Sequence, residues 1–147
     1  MRLDEAPTRD SAPRVGVGVL VIDQDRALLT LRRRPPEVGH WSILGGRVEL
    51  FETIESCAVR EAREEAGIDV VIESLLCVTD HILPEGAHWV SPAYLGRVIG
   101  GEATNREPEA AAALAWFPLG SLPHPMTVTA HRAINAYLAR SRSHRSA

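Results

Sequence analysis

The segment that decides the fold reads GRVELFETIESCAVREAREEAGI and spans residues 46–68. We predict a helix over residues 53–66, because Thr53 is a suitable N-cap residue and Gly67 can adopt the left-handed conformation that ends a helix. Three glutamates of this helix are spaced at i, i+3 and i+4 and therefore share one face. They are Glu61, Glu64 and Glu65.

This acidic face predicts a metal site. Like charges three and four residues apart repel one another and weaken a helix, so a cation is expected to offset them. Carboxylate oxygens are ligands of hard divalent cations, and Mg²⁺ also takes waters and substrate phosphates as ligands. A bound Mg²⁺ would let the acidic face hold a diphosphate and would acidify an attacking water. The alternative is a solvated surface, which three glutamates alone would favour.

The spacing of the whole segment resembles the Nudix box, which is a glycine, five residues, a glutamate, seven residues, then Arg-Glu-apolar-x-Glu-Glu-x-Gly-apolar. Every specified position is filled here, from Gly46 to Ile68. The resemblance implies a Nudix hydrolase that uses Mg²⁺, or Mn²⁺ in its place. It also implies a small-molecule substrate in which a nucleoside diphosphate is linked to another group.

The resemblance assigns roles to individual residues. Helical geometry directs Arg60 away from the three glutamates, and the matching arginine of Nudix proteins orients a box glutamate, so Arg60 is expected to pair with Glu52 as structural support. The resemblance implies catalytic roles for Glu61, Glu64 and Glu65, metal binding by the same three with Gly45 and Glu109, and support of the box by Gly46, Glu52, Arg60 and Gly67. Which glutamate is the general base stays open.

Two residues depart from the usual pattern. Leu44 stands where the segment before the box commonly has proline, and Phe51 stands where glycine commonly precedes the first glutamate. Proline fixes one backbone dihedral and glycine tolerates positive φ, so the departures predict a modified loop with an apolar patch near the metal. No carboxylate is lost.

The chain pattern predicts an α+β fold, an α/β/α sandwich with a mixed sheet between helices, which is also the Nudix arrangement. The expected strands cover residues 15–22, 27–31, 41–44, 70–79, 89–99 and 115–118, with a helical turn at 110–113 and a helix at 128–140. We expect a flexible N-terminal arm over 1–13, a Nudix domain over 14–140 and a disordered tail over 141–147.

Composition restricts the class of protein. The chain has 147 residues, 24% of them charged, and a net charge of −3. These values favour one domain and give no electrostatic reason to expect a nucleic-acid polymer or a membrane as partner. Since no apolar run has membrane-spanning length and residues 1–13 lack a hydrophobic signal region, a cytoplasmic location is expected. Cys57 and Cys77 suggest a reducing compartment, and Cys57 either lines the site or is buried.

Short stretches outside the box resemble the MutT-like branch, which hydrolyses nucleoside triphosphates. They include Gly39-His40-Trp41, His88-Trp89-Val90 and Glu107-Pro108-Glu109. Arginines at a strand end can meet phosphates, and strand alternation would place Arg32 and Arg34 on one face. The candidates for substrate binding are Arg32, Arg34, Trp41, His88, Glu107 and Trp116. Phe51, Trp89 and His81 are further candidates. Each of these rings could equally belong to the core, and Glu107 could be a solvated loop acid.

Three functions remain open from the sequence. The leading hypothesis is hydrolysis of a (deoxy)nucleoside triphosphate to the monophosphate and pyrophosphate, favoured by a short chain without a separate N-terminal domain. The alternative is a pyrophosphatase for ADP-ribose or a nucleotide sugar. A ligand sensor without turnover is the third, but such proteins often lose box glutamates that are present here. A homodimer is considered because Nudix domains often pair.

Overall fold

The computed structural model describes residues 12–84 and 86–145. Most of the N-terminal arm expected over 1–13 therefore lies outside the described residues. The elements, in chain order, are β1 (Arg14–Asp23), β2 (Arg26–Arg32), β3 (Trp41–Ser42), β4 (Leu44–Arg47), α1 (Ile54–Ala66), β5 (Asp69–Ile82), β6 (His88–Gly100), β7 (Ala111–Pro118) and α2 (Val128–Arg145).

The strands form a mixed sheet built around β1. Strand β1 pairs parallel with β6 and antiparallel with β4, while β5 pairs antiparallel with β6. Strand β2 pairs with β1 only at the hairpin end, through Ile22 and Asp23, and then continues with β3 and β7. The turn residues Gln24 and Asp25 have φ of 50° and 58°, as expected for a tight hairpin with the twist of its strands. Because β2 diverges from β4, a cleft opens between them.

Alternation along β1 separates two hydrophobic cores. Val17 and Val19 pack with α1 on one face of the sheet, whereas Leu20 packs with α2 residues Ala130 and Ile134 on the other. The sheet therefore lies between the two helices, and the predicted α/β/α sandwich is confirmed. Among the described residues, no helix is both long and apolar enough to cross a membrane.

Helix α1 begins and ends where the sequence predicts. The Thr53 hydroxyl accepts a hydrogen bond from the Ser56 N–H at 3.1 Å, and Gly67 ends the helix with φ of 68°. Two backbone N–H groups of the segment after β6 then satisfy late carbonyls of α1, from Thr104 to Ala66 and from Arg106 to Glu65. These caps fix the position of the glutamate-bearing turn.

Two predictions at the C-terminal side of the chain are wrong. The alanines expected to form a helical turn at 110–113 enter strand β7 at Ala111, because β2 offers a pairing edge along its whole length. Helix α2 continues to Arg145, beyond the predicted end at 140 and into the tail expected to be disordered. Arg140 anchors the helix to β5 through the Ser74 hydroxyl and the Leu75 carbonyl.

Candidate active site

The acidic face of α1 meets strand β4 through two glycines. The Gly45 N–H donates a hydrogen bond of 2.8 Å to Glu65 Oε1. A Cβ on Gly46 would overlap the carboxylate of Glu61, so only glycine leaves room for that side chain. Two of the three predicted glutamates are thereby held at one contact between strand and helix.

Burial dominates the electrostatics of these two carboxyl groups. Burial raises the pKa of Glu65 well above its ordinary value, the Gly45 N–H lowers it, and the neighbouring Glu61 raises it further. Burial also raises the pKa of Glu61, against the opposing effect of Arg60. Each of the two carboxyl groups also affects the pKa of the other, so Glu61 and Glu65 act as one coupled acidic pair.

These residues fit a hard divalent cation. Glu61, Glu64 and Glu65 supply only oxygen donors, the class that Mg²⁺ and Mn²⁺ prefer, and a cation would offset the repulsion among their negative charges. Among the described residues, no three acidic, histidine or cysteine side chains form a closed metal cluster. Instead, Arg60 Nη1 contacts Glu61 at 3.0 Å and Glu64 at 3.1 Å.

Arg60 binds Glu52 with two hydrogen bonds. Nε donates to Oε2 at 2.6 Å and Nη2 donates to Oε1 at 2.9 Å, so the predicted pairing is present. The prediction that Arg60 points away from the three glutamates is wrong, because its long side chain also reaches Glu61 and Glu64. Hydrogen bonding to Arg60 lowers the pKa of Glu52 to about 2. This pair of hydrogen bonds between Arg60 and Glu52 joins the box loop to α1.

The Glu52→Gln variant should be less stable than the wild type at neutral pH. A carboxyl group whose pKa falls on folding from 4.5 to about 2 stabilises the fold above pH 4.5 and loses that contribution as the pH falls towards 2. The stability gap between variant and wild type should therefore narrow between pH 4.5 and 2. Urea unfolding across this range measures it. A gap independent of pH, or one matched by Glu73→Gln on the exposed pair with Arg97, would contradict the assignment.

A cleft of about 250 Å³ lies beside the glycines of β1 and β4. The loop after β2, the ends of β5 and β6 and the start of α2 enclose it. One face of the sheet forms part of the cleft, and polar groups lie in its walls. Strand β4 connects the cleft to the glutamates. Side chains or backbone from six positions matter for its chemistry: Arg32, Glu37, Gly45, Arg47, His81 and Trp89.

Arg32 links the cleft to the glutamates. Burial lowers the pKa of its guanidinium, and the charges of Glu37 and Glu65 act to raise it. Its Nε donates to the Pro36 carbonyl at 2.8 Å, and its Nη2 reaches two more carbonyls of the same loop. Nη1 has no hydrogen-bond partner in the described part of the chain, so it can donate to an anionic ligand.

Three of the rings predicted to bind the substrate do not line the cleft. Trp41 packs edge-to-face against Phe117 in the core, with ring centroids 4.7 Å apart. Trp116 lies under the Arg26 guanidinium at 5.4 Å. His88 does not line the cleft, but its neighbour Trp89 does. The short stretch at residues 88–90 located the start of β6 without indicating which of its side chains faces the cleft.

The charged candidates divide in the same way. Strand β2 ends at Arg32, so alternation does not continue to Arg34, which is exposed and outside the cleft lining. Glu109 is exposed as well. The charge of Glu107, in contrast, acts on Glu65, and the Glu107 N–H is held by Asn105 Oδ1 at 3.2 Å. The structure thus favours Glu107 over Glu109 as the additional acid near the cluster.

The apolar patch predicted from Leu44 and Phe51 is only partly present, because Phe51 is exposed and Leu44 is not. Phe51 has φ of 67° and is 97% exposed, and Leu50 beside it is 84% exposed. The left-handed conformation explains why glycine is common at this position. Leu44, expected to share the patch, is completely buried, so that part of the prediction is wrong.

Cys57 belongs to the core and does not line the site. Its side chain is fully buried, and its Sγ donates to the Arg47 carbonyl at 3.5 Å. Burial raises the pKa of the thiol to about 12. A nucleophilic role is therefore unsuited to Cys57, since the thiolate is the reactive form.

Glu37 and Arg47 were not predicted to line the site, and His81 was only one of several candidates that could equally belong to the core. Glu37 follows two prolines in a loop, and His81 lies at the end of a long strand, so neither carries a local motif. Only the packing of the loop, β5 and α2 brings Glu37 and His81 together. Arg47 is exposed and belongs to the box segment, where it follows the fixed position Gly46. This place in the motif was the one signal in the sequence that could have indicated it.

Comparison with known proteins identifies the family. A family model described as the NUDIX domain matches residues 12–138. The chain belongs to the Nudix family. A crystal structure of MutT NUDIX hydrolase from Burkholderia pseudomallei is 42% identical, superposes with a TM-score of 0.82 and is matched over 98% of its length and 85% of this chain.

Two curated Nudix relatives differ in the substrates that their names state. The 8-oxo-dGDP phosphatase NUDT18 of Homo sapiens is 36% identical over 114 residues, which are 76% of this chain and 34% of the human protein. The ADP-ribose pyrophosphatase of Methanocaldococcus jannaschii is 34% identical over 113 residues, which are 76% of this chain and 65% of that protein. This chain therefore spans about a third of the human relative and less than two thirds of the archaeal one.

Proposed function

We propose that this protein is a Mg²⁺-dependent hydrolase of a nucleoside diphosphate linked to a further group. The observation that carries the proposal is the partly buried Glu61–Glu65 pair, held against Gly45 beside a cleft that also contains Arg32. Two carboxyl groups with raised pKa values next to a cationic guanidinium are typical of a functional site and not of a solvated helix face. With every box glutamate present, turnover is favoured over a ligand sensor.

Each residue near the cluster would have a distinct task. Glu61, Glu64 and Glu65 would hold the cation, which when bound neutralises charge on phosphate oxygens and acidifies water. Arg32 would donate from Nη1 to a phosphate oxygen at the cleft. Glu65, which is fixed at Oε1 by the Gly45 N–H and whose pKa is raised by burial, would accept a proton from the attacking water. Arg60 would position Glu61 and Glu64 from behind.

The preferred substrate is a nucleoside triphosphate, cleaved to the monophosphate and pyrophosphate. The similarity to the MutT hydrolase over almost its whole length supports this choice. The second candidate is ADP-ribose or a nucleotide sugar, which the archaeal relative favours by its name. The human relative adds nucleoside diphosphates to the substrates that must be compared.

Product analysis separates these candidates. The purified protein is incubated with Mg²⁺ and a panel of ribo- and deoxynucleoside triphosphates, nucleoside diphosphates with and without an 8-oxo base, ADP-ribose and nucleotide sugars. Pyrophosphate from triphosphates is the expected result. Orthophosphate from diphosphates, or a sugar phosphate from ADP-ribose or a nucleotide sugar, would replace the preferred substrate. An absence of turnover across the panel, with and without Mn²⁺, would contradict the proposed activity.

A further inference from the structure

Glu37 joins three separate elements at the wall of the cleft. Its residue lies in the loop after β2, its Oε2 accepts a hydrogen bond of 3.0 Å from the Val128 N–H at the start of α2, and its Oε1 lies 3.6 Å from His81 Nε2 on β5. The side chains of Glu37 and His81 are only 18% and 13% exposed. The carboxylate is thus fixed in place by the backbone of another element.

One oxygen of this carboxylate is left for a ligand. The 3.6 Å separation from His81 is too long for a hydrogen bond, and Oε1 has no hydrogen-bond donor in residues 12–84 and 86–145. The Glu37 side chain is 18% exposed, and a ligand N–H at Oε1 would supply the donor that this oxygen lacks. Both Glu37 and His81 line the cleft, so a ligand in the cleft can supply that N–H.

The neighbouring surface suits a flat ring. Gly16 forms part of the cleft, and a Cβ there would lie 3.4 Å from both the Trp89 ring and Ser91 Oγ. The absence of a side chain at Gly16 keeps the sheet face open beside Trp89. Pro92 continues the same wall. Flat apolar walls with a carboxylate and an imidazole at one side match a planar heterocycle that carries N–H groups on its edge.

We propose that Glu37 and His81 recognise the hydrogen-bonding edge of the nucleobase and so set the base preference of the enzyme. The inference rests on the proposed function, because it requires the nucleotide to occupy this cleft. The carboxylate Oε1 accepts from a ring N–H or an amino group of the base, and His81 Nε2 bonds the adjacent position. Val128 orients the carboxylate and does not contact the base.

The Glu37→Gln variant tests this inference. The amide oxygen can still accept from the Val128 N–H, while the NH₂ group replaces Oε1 and presents donors where the base would present its own. We expect kcat/KM for the preferred base to fall by roughly 10- to 100-fold, and kcat/KM for the other bases to change by less than about threefold. The ratios among dGTP, dATP, dCTP and dTTP are measured, or those among ADP-, GDP- and UDP-glucose if sugar nucleotides are the substrates.

Two further variants make the outcome decisive. His81→Phe keeps a ring of similar shape without nitrogen and should also flatten the base ratios, which carries the test if Glu37→Gln unfolds. Glu73→Gln, on the exposed pair with Arg97, should leave all ratios unchanged. Equal loss on every base, or a wild type without base preference, would overturn the inference. A wild type that hydrolyses no nucleotide would instead contradict the proposed function.

Discussion

The Glu65→Gln variant is expected to hydrolyse its substrate about 10²- to 10⁴-fold more slowly than the wild type at saturating Mg²⁺. The amide has nearly the shape of the carboxyl group and can still accept from the Gly45 N–H, so the contact between β4 and α1 should persist. It has no negative charge for a cation and cannot accept a proton in the relevant pH range. The loss should therefore appear in kcat and in the Mg²⁺ dependence.

The stability of Glu65→Gln, unlike its activity, should not fall at neutral pH. A carboxyl group whose pKa is raised on folding stabilises the fold fully below its ordinary pKa and loses that contribution as the pH rises through the raised value. At neutral pH without divalent metal, Glu65→Gln should then unfold at the same temperature as the wild type or above it. Calorimetry in EDTA measures this. The matched control is Glu55→Gln on the exposed side of the same helix, which should retain the wild-type rate. A wild-type rate for Glu65→Gln would refute the proposed role.

Local spacing explains which features could be predicted. The caps of α1 and its shared glutamate face each arise within one turn, where residue types and intervals define geometry. The Arg60–Glu52 pair spans eight residues and was implied by the resemblance to the Nudix box. The order of strands and the fold class followed from alternation and turn residues. Helical geometry directs Arg60 away from the face that carries Glu64. Its side chain is nevertheless long and flexible enough to reach Glu64.

Long-range packing explains what could not be predicted. Ala111 has low strand propensity, yet it lies in β7 because the edge of β2 offers pairing partners there, and the Arg33 N–H donates to the Ala110 carbonyl. The Glu37–His81 pair depends on a loop, a strand end and a helix start that are distant in sequence. Residue type does not distinguish Trp41 from Trp89. Only the geometry of the sheet places Trp41 in the core and Trp89 at the cleft.

The Gly45→Ala variant should lose both stability and activity. Gly45 pairs with Gly18 in the β1–β4 register, and a Cβ on Gly45 would overlap the Val17 carbonyl oxygen and lie 2.9 Å from the Gly18 Cα. Neither contact is with a flexible side chain, so β4 must move away from β1. We expect a loss of about 3 kcal/mol in the free energy of unfolding, at the upper end of overpacking effects. Urea unfolding measures the loss.

The same displacement should reach Glu65, the proposed catalytic residue, because the Gly45 N–H is the donor that fixes Glu65 Oε1. At a temperature where the variant is still folded, kcat should fall more than the remaining folded fraction explains. Gly120→Ala is the matched control, since a Cβ at Gly120 meets no atom within 4 Å and should change the free energy of unfolding by less than about 0.5 kcal/mol. If Gly45→Ala lost stability but kept the wild-type kcat when folded, the Gly45–Glu65 hydrogen bond would not position the catalytic group. A loss of kcat beyond that caused by unfolding would show that one glycine sets the register of β4 with β1 and also holds the carboxyl group in its working position.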